Sequence, residues 1–410
     1  MKQSKPKKRS LVKVALLVSA LASVVYVFYG LVLVSSSGGA LNSDRDDEQF
    51  FLQQLSIEAS NLQKKNNSLQ CNENGQIKKP APDFIIAGVQ KGGTSALRGI
   101  LLQNPNMTAS KRFEPHYFDK FLKQHLSRNY GMSPNATKAE MDTIIESWVC
   151  DIQQHYMQST FHEAALEEKG GLPDIFFFEK TPSYVLDPDV PSFISSIFPT
   201  TKIIMVLRNP VDRAYSHYKM EREKRRVKSD FETVLNDELR AMRRLYLTAA
   251  PPLVLPLPQA RHQFGDYLRA HSSAFRIPKL PDDIRDDAHK EIMTSFADTN
   301  FIQRGMYAPQ LERWMKYFSL GESLLVLKFE DLKENPAVFY KQVLDFLGAP
   351  YFELKPEDFE KAYQTRGAYR RKGMVHLPLS NATRMYLEMF HEPYNKQLTD
   401  LLDRHFYGQW

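Results

Sequence analysis

An anion site needs unpaired N–H groups and fixed cations, and one stretch of this chain gathers both. Gly88-Val89-Gln90-Lys91-Gly92-Gly93-Thr94-Ser95 follows an apolar run and precedes residues with helical spacing. A glycine turn between a strand and a helix exposes main-chain amides and the positive end of the helix dipole, which together favour phosphate or sulfate. In a nucleotide-triphosphate P-loop the lysine stands directly before Ser or Thr, whereas Lys91 precedes Gly92-Gly93-Thr94, so that pattern fails. A second apolar run ends in Leu207-Arg208-Asn209-Pro210, a cation where a kinase or GTPase places its magnesium-binding carboxylate. The combination predicts phosphate binding without a metal ion and leaves a P-loop kinase as the disfavoured alternative.

Two further segments gather titratable groups. They are Phe113-Glu114-Pro115-His116-Tyr117-Phe118-Asp119 and Glu179-Lys180-Thr181-Pro182-Ser183-Tyr184. Taken alone, a Glu beside a Pro reads as a solvated loop residue. Lys180, after the apolar run Ile175 to Phe178, reads as well as a strand-end lysine facing solvent as it does a functional one.

The elements that must position these residues follow from hydrophobic patterning. Phe84 to Val89 reads as a buried strand, then a glycine turn, then a helix from Ser95 to Gln103. The order recurs: Ile203 to Leu207 leads into a helix from Pro210 onward, and Leu324 to Leu327 into one over Pro336 to Leu347. Apolar strands without alternation, interleaved with helices, predict an α/β fold whose parallel sheet is covered on both faces. The proline-rich stretch from about 245 to 283 reads as an irregular excursion from this domain. Trp314 is expected in the core, and Tyr307 there or lining the cleft.

Outside that domain, the 21 residues from Val14 to Val34 carry no charge, about the length that crosses ~30 Å of hydrocarbon. Basic residues precede the run and Asp44, Asp46, Asp47 and Glu48 follow, which predicts a cytosolic N-terminus and a luminal bulk. The expected organisation is a basic tail (1–13), a transmembrane anchor (14–34), a stem (35–80) and a catalytic domain (81–410); a cleaved signal peptide is the alternative to the anchor. Leu55, Leu62 and Leu69 fall seven apart, which makes a stem homodimer an expectation. The net charge of +6 is matched by the six cations before residue 35, so the remainder is near neutral and overall charge lends a polyanionic substrate no support; no nucleic-acid partner is expected. The cluster Arg222, Lys224, Arg225, Arg226 and Lys228 reads first as a solvated helix face. Four N-x-[ST] sequons, at Asn66, Asn106, Asn135 and Asn381, are compatible with a luminal glycoprotein, and Cys71 and Cys150 could pair with each other or, at Cys71, bridge two chains.

Over about residues 82 to 405 the sequence resembles the sulfotransferases that use 3′-phosphoadenosine 5′-phosphosulfate (PAPS), in particular the Golgi heparan sulfate and related glycosaminoglycan enzymes. Lys91-Gly92-Gly93-Thr94-Ser95 is similar to that family's loop around the 5′-phosphosulfate. Leu207-Arg208-Asn209-Pro210-Val211-Asp212-Arg213-Ala214-Tyr215-Ser216 is similar to its 3′-phosphate segment, which implies that Arg208 and Ser216 hold that group. The resemblance further implies Glu114 as general base with His116 and Asp119 orienting it, and Lys91 and Lys180 flanking the sulfuryl group. Arg370-Arg371-Lys372-Gly373 looks like the C-terminal basic loop that closes over the nucleotide, so that Arg371, Lys372 and Gly373 join the donor site. Some relatives have arginine in place of Ser95 and a disulfide that closes the C-terminal loop, for which this chain has no cysteines. A glycan acceptor, a PAPS donor, no metal and a Golgi membrane setting are implied. A silent glycan-binding protein and a tyrosine-protein or small-molecule sulfotransferase remain as alternatives.

Overall fold

Each central strand buries both of its faces along most of its length, so it is a near-continuous apolar run, as suits a parallel sheet covered by helices on both sides. A computed structural model describes residues 79–133, 135–169, 172–245, 291, 300–364 and 378–402. In chain order these form β1 (Phe84–Gly88), α1 (Thr94–Leu101), β2 (Met107–Ala109), a π-helical turn (Tyr117–Phe121), α2 (Leu122–Tyr130), α3 (Lys138–Ser147), α4 (Val149–Thr160), α5 (Glu163–Lys169), β3 (Phe176–Lys180), α6 (Val190–Ile197) and β4 (Lys202–Leu207). Then come α7 (Pro210–Glu223), α8 (Phe231–Arg244), a 3₁₀ turn (Gln303–Gly305), α9 (Tyr307–Met315), β5 (Leu324–Lys328), α10 (Phe329–Glu334), α11 (Pro336–Leu347), α12 (Pro356–Gln364) and α13 (Asn381–Leu401).

The five strands run in the order β2-β3-β1-β4-β5, every pair parallel. Alternate residues therefore serve opposite faces. Ile85, Ala87, Phe177, Ile203 and Met205 pack with residues of α2 to α6 and α9; Phe84, Ile86, Phe178, Ile204 and Val206 pack with α1, α10, α11 and α12. A third apolar cluster joins α7 and α8 to α13. Trp314 is fully buried, as expected of a core residue.

After β1 the chain goes to the edge strand β2, comes back to place β3 between β2 and β1, and then crosses to the other side of β1 for β4 and β5. The strand order thus reverses at β1, and open α/β sheets bind ligands outside the carboxyl ends of their strands at such a point. The Gly-rich turn begins there.

The three strand-loop-helix units expected from sequence are present, with α11 covering Pro336–Leu347 as expected; α1 starts one residue earlier than expected and stops at Leu101. Its early end has a local cause, since Leu102, Gln103 and Asn104 bond back to Arg98, Ile100 and Leu101 in a closing turn. Val89 leaves the strand, although its amide still bonds to the Val206 carbonyl at 3.1 Å. Residues 1–78, which include the apolar run 14–34, the leucine spacing of the stem and Cys71, lie outside the described residues, as does the excursion from 246 to 283. Among the described residues no helix is long and apolar enough to cross a membrane. Cys150 is disulfide-bonded.

Candidate active site

The turn after β1 is shaped by its two glycines. A Cβ on Gly92 would come 2.2 Å from the Val206 carbonyl oxygen, and one on Gly93 would come 2.3 Å from Phe329 Cδ2, where φ is already +98°. Only glycine fits, and the result is a main chain pressed against β4 that leads directly into α1. No side chain caps α1, whose N-cap is Gly93 itself, so the helix start keeps amides available to an anion. Lys91 holds a left-handed φ of 69°, closed beneath by the Gly92 amide bonding to Val89 O at 2.9 Å. Gly93→Ala is expected to abolish binding of adenosine 3′,5′-bisphosphate, measured by calorimetry, and to cost about 1–3 kcal/mol of stability through overpacking. Retained affinity would remove the loop from the site.

The segment after β4 explains its own sequence. Asn209 accepts from the amides of Val211 and Asp212, at 3.0 and 3.2 Å, and so caps α7; Pro210 fills the first helical position, where an N–H would have no partner. Arg208 is left at the strand end. Its guanidinium donates to the Lys91 carbonyl at 3.3 Å and lies 5.0 Å over the Phe329 ring, beside the glycine turn. Tyr307 is buried and does not line an open cleft; its hydroxyl donates to the Arg208 carbonyl at 2.7 Å and braces that strand end. Arg304, in the 3₁₀ turn before α9, reaches Gln90 Oε1 at 2.8 Å and is a second brace on the turn. Ser216 stands half-buried on α7, the helix whose Met220 sulfur is 3.7 Å from Lys91 Nζ.

The end of β3 faces the same turn. Lys180 is fully buried, and its ammonium donates to Glu114 Oε1 at 2.5 Å and to Ser95 Oγ at 3.4 Å, with the Phe113 ring centroid 3.9 Å away. The structure thus brings together Ser95, Glu114 and Lys180, the last two 66 residues apart in sequence. His116 lies between two carboxylates, with Nδ1 2.9 Å from Asp119 Oδ2 and Nε2 3.6 Å from Glu114 Oε2. Ser183, to which its sequence context assigns no role, donates to Asp119 Oδ2 at 2.7 Å. Arg371, Lys372 and Gly373 lie outside the described residues. The basic cluster near residue 225 is structural in part: Lys224 and Arg226 pair with the buried Glu221, and Arg222 donates to the carbonyls of Lys228 and Ser229.

Charge is distributed unevenly across this cluster. Burial opposes ionisation of Glu114, but hydrogen bonding to His116 and attraction to Lys180 outweigh it and hold its carboxyl at about 2. Burial likewise opposes the His116 cation, yet bonds to Asp119 and Glu114 lift it to about 9. For Lys180 burial prevails over Glu114, and its ammonium is weakened. A histidine whose pKa rises on folding adds stability that is complete below its unfolded value and is lost as pH climbs through the folded one. The melting-temperature difference between wild type and His116→Ala should therefore be widest between about pH 5 and 6.5 and close as pH passes about 9. A difference independent of pH would contradict the imidazolium between its carboxylates.

The family model for the sulfotransferase domain matches residues 81–367. Heparan sulfate glucosamine 3-O-sulfotransferase 3B1 of Mus musculus is 25% identical over 345 residues, covering 81% of this chain and 66% of that protein. Bifunctional heparan sulfate N-deacetylase/N-sulfotransferase 4 of Mus musculus is 24% identical over 339 residues, covering 79% of this chain and 30% of that protein. The chain thus spans two thirds or less of these relatives' lengths. A solved sulfotransferase from Alicyclobacillus acidocaldarius has a TM-score of 0.46 and 19% identity, covering 80% of this chain and 97% of that one.

Proposed function

Because the chain belongs to the sulfotransferase domain family, we propose that it transfers a sulfuryl group from PAPS to a hydroxyl or amine of a glycan, with a glycosaminoglycan as the first class of acceptor. The observation that carries this reading is the junction of a glycine anion turn with a buried lysine–glutamate pair: Lys180 touches both Glu114 and Ser95. Gly92, Gly93, Thr94 and the start of α1 suit the 5′-phosphosulfate end of the donor, because the turn has no room for side chains and its helix has no cap. Arg208 and Ser216 suit the 3′-phosphate, and Lys91 stands between the turn and α7. Arg371, Lys372 and Gly373 are proposed to complete the donor site from the C-terminal loop.

When bound, the donor supplies the sulfuryl group and a bisphosphate leaving group. In this proposal Glu114 takes the proton of the acceptor hydroxyl as the new O–S bond forms and the bond to the phosphate oxygen breaks. A carboxyl held at about 2 is a weak base, so the Lys180 ammonium must first turn from Glu114 toward the donor. That exchange frees the base and puts a cation beside the oxygen that gains charge, where it stabilises the transition state more than the ground state. His116 and Asp119 keep the carboxylate oriented. The apolar run at 14–34 adds to this proposal a single-pass Golgi membrane setting with the catalytic domain in the lumen.

The test is transfer of radiolabel from PAPS to a panel of glycans by the full chain in detergent, followed by disaccharide analysis. Label in heparan-type disaccharides is the expected result. Label only in tyrosine peptides or small phenols would redirect the acceptor class, and donor binding without any transfer would favour a silent binding protein.

A further inference from the structure

Glu179 stands next to Lys180 on β3 but points to the opposite face of the sheet, paired in register with Ile85. It is fully buried, a position at which a carboxylate must have its oxygens hydrogen-bonded. Its Oε1 accepts from the hydroxyls of Tyr156 and Tyr184, both at 3.0 Å, and its Oε2 from Thr181 Oγ1 at 2.7 Å. Two of those three hydroxyls continue to the segment that follows Glu114. Tyr184 Oη accepts from the amides of Tyr117 and Phe118 at 2.9 and 3.3 Å, and Thr181 Oγ1 from the amide of His116 at 3.4 Å. These are three successive amides at the head of the π-helical turn that carries Asp119.

The directions of these bonds are fixed by what each group can do. A main-chain amide only donates, so Tyr184 and Thr181 must accept from the turn, and the single proton of each hydroxyl needs an acceptor elsewhere. An ionised carboxylate accepts from both and offers nothing in return. Relying on the sulfotransferase reading above, we propose that Glu179 is a positioning residue for the transfer centre. It sets the polarity of the Tyr184 and Thr181 hydroxyls, which hold the His116–Phe118 main chain and, through it, keep His116 beside the Glu114 that pairs with Lys180. Burial pushes the Glu179 carboxyl up to about 7 even against its three hydroxyl donors, so the form that accepts from all three is complete only above that pH, a liability that simple core filling would not carry.

Glu179→Gln keeps the shape of the side chain but gives it an N–H₂ group, so one hydroxyl must then face two donors with its own proton unplaced. Kinetics of glycan transfer by the full chain, with adenosine 3′,5′-bisphosphate affinity and melting temperature, should be measured for Glu179→Gln, Thr181→Val and Tyr184→Phe. Each variant is also made on a Glu114→Gln background. The expected result for Glu179→Gln is a fall in kcat of about 10- to 100-fold, the scale of a small misplacement of reacting groups, with bisphosphate affinity unchanged. Thr181→Val and Tyr184→Phe should each give part of that fall, and none should lower the residual turnover of Glu114→Gln further. Wild-type kcat in Glu179→Gln would overturn the inference, as would an equal proportional loss on the Glu114→Gln background or a parallel loss of bisphosphate affinity. If Glu179→Gln does not fold, the Thr181→Val and Tyr184→Phe kinetics decide by the same criteria. Absence of transfer by the wild-type chain would overturn the functional reading itself, whereas transfer by wild type with an unaffected Glu179→Gln overturns only the positioning role.

Discussion

Glu114→Gln is expected to lower kcat by about 10²–10⁴-fold, the usual contribution of a positioned general base, while adenosine 3′,5′-bisphosphate still binds. The two parts of this expectation come from separate elements of the site. The bisphosphate is assigned to the glycine turn and to Arg208, neither of which depends on the Glu114 carboxylate for its shape. The acceptor proton is assigned to Glu114 alone, whose carboxylate is half-buried beside Lys180 and His116. Glutamine keeps the volume but has no basic oxygen. Steady-state kinetics against calorimetric affinity separate the two effects: a matching loss in both would make Glu114 a structural prop, and an unchanged kcat would assign the base elsewhere.

Lys180→Ala should reduce kcat by about 10²–10³-fold, the scale seen when one preorganised donor to a developing charge is removed. It also removes the cation that helps to depress Glu114, so the Glu114 carboxyl rises toward the ordinary carboxylate range. The acid limb of the pH dependence of residual kcat/KM must then move to higher pH, because the base is protonated sooner as pH falls. An alanine variant with wild-type turnover would exclude Lys180 from the transfer step. One with lowered turnover but an unmoved acid limb would break the link between Lys180 and Glu114.

The sheet was readable from sequence where a strand is buried on both faces. Phe84 to Ala87, Ile203 to Leu207 and Leu324 to Leu327 are unbroken apolar runs, and each is followed by a turn or cap and a helix. The strand β2, Met107–Ala109, is three residues long and carries no such run, so nothing local marks it; its place comes from parallel pairing with Phe176 to Phe178. The helices α2 to α5 between β2 and β3 are hard to read because their buried stripes mix polar with apolar residues, as with His125 beside Leu122 and Leu126, and Gln153 and Thr160 beside Ile152, Tyr156 and Met157.

At the site, Lys91, Ser95, Glu114, His116, Asp119, Lys180 and Arg208 stood in short motifs whose residue types already suggest anion and proton chemistry. Glu179, Thr181, Ser183 and Tyr184 lie in such a motif too, but Thr181, Ser183 and Tyr184 act through bonds to residues 64 to 67 positions away, and Glu179 acts through Thr181 and Tyr184. No spacing rule reports such contacts. Tyr307 shows the converse: its sequence leaves both the core and the cleft open, and burial together with the Arg208 carbonyl assigns it to bracing the strand end.

The measurement that bears most directly on the donor site is titration of adenosine 3′,5′-bisphosphate into the full chain by calorimetry, with a chelator present throughout. Binding at a single site that is abolished by Gly93→Ala and weakened by Arg208→Ala is the predicted result. An absence of heat, or heat that appears only when magnesium replaces the chelator, would contradict a cradle built from main-chain amides and arginine.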